Sequence, residues 1–175
     1  MFWQYILLVE AFIATDTLLA VARKDSEKRP EYNAWKFLKS FKSGYIKYQT
    51  YVDSVGCTEF LRKALNATDK SALYQVSFKV LADNTKETIT LRFHEQITPN
   101  EYAVYNEDEE ELYNSTVAYS DYSKCSIIQD SETPTNCKMF VNTGTSNRVI
   151  QECFKKFPDT CDSSRYDAFD LDICR

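Results

Sequence analysis

Residues Glu87-Thr88-Ile89-Thr90-Leu91-Arg92-Phe93-His94-Glu95-Gln96-Ile97 decide the fold class. Ile89, Leu91, Phe93, Glu95 and Ile97 fall on one side of an extended chain; Thr88, Thr90, Arg92, His94 and Gln96 fall on the other. A period of two over this length predicts a β-strand whose first face is buried. Outward from it, β-branched and aromatic runs separated by polar breaks predict further strands near 44–53, 56–64, 72–82, 101–106, 111–120, 124–130 and 136–142. Most connections are short enough for hairpins. Eight successive antiparallel strands suit an up-and-down barrel, which leaves no open edge and is wide enough for one small ligand. A two-sheet sandwich accommodates the same strand count. Two helices favour the barrel. One is predicted over 31–41, with Ala34, Leu38, Phe41 and Trp35 on one side. The other, over 145–157, carries Val149, Ile150, Cys153, Phe154 and Phe157, with Pro158 just past its end. There is no internal repeat and no second domain, so the fold class read here is all-β.

Composition excludes several functions. The 175 residues include three Gly and one His and carry a net charge of −5. Neither a Walker A nor a GxGxxG string is present, and multi-histidine metal sites are ruled out. The acidic balance argues against a nucleic-acid partner. No GxSxG elbow occurs, and His94 falls on the outer face, so no catalytic machinery is visible and no cofactor or metal is expected. The acidic run 107–111 reads as a solvated hairpin tip.

The first 22 residues are mostly apolar, end in Ala20-Val21-Ala22 and give way to Arg23-Lys24-Asp25. This pattern predicts a signal peptide over 1–22, a single domain over 23–175 and a secreted, extracellular protein. A buried first helix is the alternative for the same run. Glu10 and Asp16 make it costly as a membrane span, and no other stretch approaches membrane length. Six cysteines follow, at 57, 125, 137, 153, 161 and 174, with no CxxC pair. An even count in an exported chain predicts three disulfides. Two sequons, at Asn66 and Asn114, are candidate glycosylation sites.

The inward faces nominate the functional residues. Glu95 is an acid in an apolar row, so it needs a cationic partner, such as a ligand, or water at the barrel mouth. A glycan on Asn114 would turn Leu112, Thr116 and Ala118 outward and Tyr113, Ser115, Val117 and Tyr119 inward. Tyr74, Val76, Phe78 and Val80 share a face, and the first strand offers Tyr45, Tyr48, Tyr51 and Asp53. Aromatic walls with a few polar groups describe an amine or small-ligand pocket, but the same rings also serve to fill a core.

These strings resemble a known family. Asn33-Ala34-Trp35-Lys36, Thr50-Tyr51, Val117-Ala118-Tyr119-Ser120-Asp121 ahead of Cys125, Cys153 with Phe154 and Phe157, and Cys174 near the end follow the order of the hard-tick salivary lipocalins, the histamine-binding proteins among them. The resemblance implies a lipocalin barrel with a short N-terminal helix and a C-terminal helix packed outside. It implies pairing of Cys57 with Cys174 and of Cys125 with Cys153, leaving Cys137 for Cys161. It also implies a pocket of Tyr51, Asp53, Phe93, Glu95, Tyr105 and Tyr113, with Ala103 in place of an aromatic. A second amine pocket is not expected, since Ser126 and Lys138 stand where amine binders have acids. The function implied is sequestration, without turnover, of a small inflammatory mediator of the host. A biogenic amine such as histamine or serotonin comes first. The alternatives are a leukotriene or fatty acid held by Lys47 or Lys138, or a host protein such as a complement component. A monomer that engages neither nucleic acid nor membrane completes the expectation.

Overall fold

In the computed structural model, which describes residues 32–161, 164–170 and 173–174, the period-two stretch forms a strand over Lys86–Glu95. It is the fourth of eight: β1 (Ser43–Gln49), β2 (Val55–Asn66), β3 (Ser71–Val80), β4 (Lys86–Glu95), β5 (Glu101–Tyr105), β6 (Glu111–Ser120), β7 (Cys125–Asp130) and β8 (Cys137–Asn142). Each pairs antiparallel with the next, and β1 pairs with both β8 and β2, which closes the sheet into a barrel. The sandwich alternative is therefore not the architecture. A two-residue strand, β9 (Tyr166–Asp167), adds to the end of β1 opposite Gln49 and Tyr48. The expected signal peptide, residues 1–22, lies outside the described residues.

Helix α1 (Ala34–Ser40) is short because its signals are short. The Asn33 side chain accepts the Lys36 N–H at 2.7 Å, and the Phe41 N–H closes on Phe37 O at 2.9 Å. The helix buries Ala34, Phe37 and Leu38 and plugs one end of the barrel. Phe37 stacks on Phe41 and Tyr102, while Phe41 meets Phe60 and Phe140 edge-on. The carbonyls left open at its C-terminus are taken by the barrel: Arg62 donates to Leu38 O and Lys39 O, and Tyr74 donates to Phe41 O at 2.6 Å.

The expected second helix divides in two. Helix α2 (Asn147–Phe154) ends at a turn over Lys155 and Lys156, and Pro158 sits in the first turn of α3 (Phe157–Thr160), where its missing N–H costs nothing. These helices cover the outside of β7 and β8 through Ile127, Met139, Val141, Ile150 and Phe157. All of Cys125–Ile128 is consequently buried, because β7 has the barrel core on one side and α2 on the other.

The three disulfides are Cys57–Cys174, Cys125–Cys153 and Cys137–Cys161. Their loops span 117, 28 and 24 residues, for which chain entropy gives about 3–5 kcal/mol each. They tie the tail to β2, α2 to β7, and the end of α3 to β8.

Four residues face otherwise than expected: Tyr119, expected inward, is turned by a register shift in the β6–β7 ladder to sit opposite Ile127 in the cluster outside the barrel, and Tyr45, Tyr48 and Ile97 are also corrected. Tyr45 and Tyr48 point out of the barrel, onto Phe169 at 4.4 Å and Phe154 at 4.8 Å, because the C-terminal segments cover this side of β1. Ile97 lies beyond the end of β4 and is fully exposed, so alternation no longer governs it.

Closure leaves no room for a side chain at Gly44. A Cβ there would stand 2.2 Å from Val141 O and 2.6 Å from the Phe41 ring. Gly44→Ala is expected to lower the unfolding free energy by about 1–3 kcal/mol, the usual cost of overpacking, as measured by urea denaturation at fixed redox state.

Candidate functional site

The barrel encloses a cavity of about 330 Å³ that opens at the end opposite α1. Its deep wall is aromatic and aliphatic: Phe60, Phe93, Tyr102, Ile128 and Phe140, with Val76, Leu91 and Ile46 beside them. Tyr102 is fully buried, its hydroxyl hydrogen-bonds Ser115, and burial pushes its pKa well above the ordinary tyrosine value. Ser115 also lines the cavity, so the deep wall offers hydroxyl groups among rings.

The polar groups collect at the mouth. Tyr51, from the β1–β2 loop, faces Lys138 of β8, whose ammonium lies 5.3 Å from the ring centroid. Burial opposes the charge on Lys138, but Tyr51, Tyr113 and Asp53 outweigh it, so its pKa lies above the usual lysine value and it stays protonated at physiological pH. Asp53 Oδ2 is 3.9 Å from that ammonium. Asp130, at the end of β7, also lines the cavity; its Oδ1 accepts the N–H groups of Glu132 at 2.9 Å and Thr133 at 3.2 Å. Tyr113 completes the rim. Burial raises its pKa, Lys138 lowers it, and Tyr51 and Asp130 raise it. Among the described residues, the mouth thus holds two carboxylates and one ammonium.

The structure brings together three of the expected site residues, Tyr51, Phe93 and Tyr113, on the cavity wall. Asp53 reaches the mouth through Lys138 and otherwise lines a separate groove of about 260 Å³ under the C-terminal tail. Glu95 and Tyr105 do not line the cavity. Glu95 is on the inner face of β4, opposite Tyr102 in register, but at the plugged end. There the β2–β3 hairpin folds Lys70 onto its carboxylate as an ion pair, and Asn33 Nδ2 donates to it at 3.4 Å. Tyr105 lies outside the barrel, where its hydroxyl donates to Glu111 Oε2 at 3.1 Å and its ring meets Arg92. Ala103 faces outward too, since Phe93 opposes Val104 across the β4–β5 ladder.

Tyr102 and Asp130 are lining residues that sequence reading missed. For Tyr102 the signal was available: with Phe93 and Glu95 inward, antiparallel pairing puts Val104 and Tyr102 inward. Asp130 carried no comparable signal, because β7 is apolar on both faces.

Of the two sequons, Asn66 is exposed at the end of β2. Asn114 is half-buried on β6 and donates to Glu111 Oε1 at 2.7 Å. A register shift in the β5–β6 ladder brings Leu112 as well as Tyr113 to the cavity rim.

The sequence profile of the family described as tick histamine binding protein matches residues 22–175. The chain belongs to the tick histamine-binding protein family. Members of this family are ligand-binding lipocalins, and a small-molecule-binding lipocalin is what the barrel and its cavity describe. Solved structures agree on the fold. AM182, in a serotonin complex, is 14% identical with a TM-score of 0.61, over 83% of this chain and 94% of that one. Japanin from Rhipicephalus appendiculatus, bound to cholesterol, is 12% identical with a TM-score of 0.59, over 75% and 94%. Lobster apocrustacyanin A1 is 8% identical with a TM-score of 0.53, over 74% and 76%. No curated protein matches the chain.

The placement of Glu95 separates a structural acid from a ligand-binding one. Glu95→Gln is expected to cost about 1 kcal/mol of stability, the scale of a half-exposed ion pair, and to leave ligand affinity within about twofold of wild type. Chemical denaturation and calorimetry read the two effects separately.

Proposed function

We propose that this lipocalin is a secreted, monomeric salivary scavenger that holds one biogenic amine, histamine or serotonin, in its single barrel cavity. The observation that carries the reading is the charge count at the mouth. Asp53 and Asp130 oppose one ammonium, that of Lys138, which leaves one negative charge for a ligand cation. The aromatic part of the ligand enters the deep wall of Phe93, Phe60 and Tyr102, and Ser115 is placed to meet a ring hydroxyl. Tyr51 and Tyr113 flank the ammonium by cation–π contact. Glu95 and Tyr105 have no direct part in this arrangement. An apolar run ending in Ala20-Val21-Ala22, three disulfides and two sequons support passage through the secretory route. Sequestration by enclosure involves no chemical turnover and no cofactor.

A second reading rests on Lys138 itself. Its protonated ammonium borders a mostly apolar cavity, which suits the carboxylate of a fatty-acid-derived mediator such as a leukotriene. The cavity meets the first requirement of either ligand reading, since a packed interior would have left only the outer surface, and with it a host protein, as a target.

Calorimetry with histamine, serotonin and leukotrienes distinguishes them. Amine binding is expected, and Asp130→Asn is expected to weaken it by about 10–100-fold, the scale of one charge-assisted contact. Leukotriene binding that is lost in Lys138→Met, with no amine bound, would replace the first reading by the second.

A further inference from the structure

Basic residues of this acidic chain cluster in two stretches of sequence. Residues 32–52 contain four lysines and no acid, and residues 60–68 contain Arg62 and Lys63 and no acid. The fold joins these two segments at the plugged end. Lys36 and Lys39 are exposed three residues apart on α1, and Lys42 follows it. The Arg62 N–H donates to Lys42 O at 2.8 Å and its guanidinium donates to Lys39 O at 2.9 Å, which brings β2 to the C-terminal end of α1; Lys63, next in the chain, is exposed. The result is a belt of Lys36, Lys39, Lys42, Arg62 and Lys63. Acids at this end of the barrel have partners of their own: Glu95 pairs with Lys70, Asp69 accepts from Ser71, and Asp121, beside the Tyr122 ring that Lys36 covers at 4.1 Å, accepts the N–H groups of Ser123 and Lys124.

Beside the belt, on the outer face where β1 meets β2, lies a groove of about 370 Å³. Ser43, Gln75, Ser77 and Thr143 line it, with Leu61 and Glu59. Its hydroxyl and amide groups, set around Phe60 and Leu61, suit a sugar, which offers hydroxyls to bond and C–H faces to pack. A row of cations beside a polar groove therefore fits one class of extracellular partner.

We infer that the plugged end of the barrel binds a sulfated polysaccharide chain, its sulfates on Lys36, Lys39, Lys42 and Lys63 and its sugar hydroxyls along the Ser43–Ser77 groove. Such a contact would hold the scavenger at host tissue with its ligand mouth turned away. It is independent of what the cavity binds, because the belt and the mouth are at opposite ends.

Retention of the full, oxidised chain on immobilised heparin tests it. Binding at physiological salt is expected, with affinity falling linearly in log–log fashion as salt rises. The triple variant Lys39→Glu, Lys42→Glu, Lys63→Glu is expected to lose at least about tenfold in affinity. A control, Lys155→Glu with Lys156→Glu, changes exposed charges elsewhere and is expected to bind like wild type. Thermal unfolding checks that both variants fold, and ligand calorimetry on the triple variant is expected to match wild type. The inference is overturned if heparin does not bind at physiological salt. It is also overturned if the triple variant binds as well as wild type, if desulfated heparin binds as well as heparin, or if phosphatidylserine vesicles bind where heparin does not.

Discussion

The barrel exists because β1 pairs on both of its edges. At Gly44 one strand meets Phe60 of β2 on one side and Asn142 of β8 on the other, while the Phe41 ring presses on the position where a side chain would begin. Closure and plugging are therefore one event. The residue that lets the sheet close is also the one that lets α1 lay its aromatic face into the end of the barrel. Without the plug, Phe60, Tyr74 and Phe140 would face solvent at that end; without closure, α1 would have no socket. Arg62 and Tyr74 strengthen the coupling by satisfying the carbonyls with which a seven-residue helix ends. The cavity follows from the same geometry, since it is the part of the interior that α1 does not reach.

How much was legible in the sequence depends on how local the signal was. Alternation located β4, and β-branched and aromatic runs between polar breaks located the other seven strands, because both signals lie within a strand's own residues. Ser115 and Val117 were placed inward by the sequon on their own strand, and both are buried. The disulfide pairing came from family resemblance, since three bridges are a property of the closed barrel that spacing alone does not reveal. Facing was misread wherever a distant segment took over a strand's surface. Tyr45 and Tyr48 carry the same aromatic signal as Tyr51, but Phe154 and Phe169, more than a hundred residues later, cover them from outside. Glu95 was rightly seen as an acid in an apolar row. Its partner, Lys70, comes from a hairpin whose tip the alternation of β4 says nothing about.

The fate of Glu95 shapes the site. An inward carboxylate neutralised at the plugged end leaves the deep wall of the cavity without a net charge, so rings, aliphatic groups and two hydroxyls define it. Every charge a ligand meets then stands at the mouth, where Asp53, Asp130 and Lys138 lie on three different elements. This division lets the deep wall select for shape and apolar surface, and the mouth for charge.

The sign of that selection turns on a single contact. Lys138 and Asp53 are 3.9 Å apart, with side chains 32% and 25% exposed. A pair of this kind contributes at most about 1 kcal/mol, so its stability does not explain its placement. Its consequence is electrostatic. In the amine reading proposed above, Lys138 is offset by Asp53, and the carboxylate of Asp130 is the charge left for a ligand cation. Were Asp53 withdrawn, Lys138 would offset Asp130 instead, and the preference for a cation would be lost. Asp53 lies in the β1–β2 loop, outside the strands that carry the barrel. On that reading, the charge a ligand must carry is set in a loop, apart from the residues of closure, plug and core.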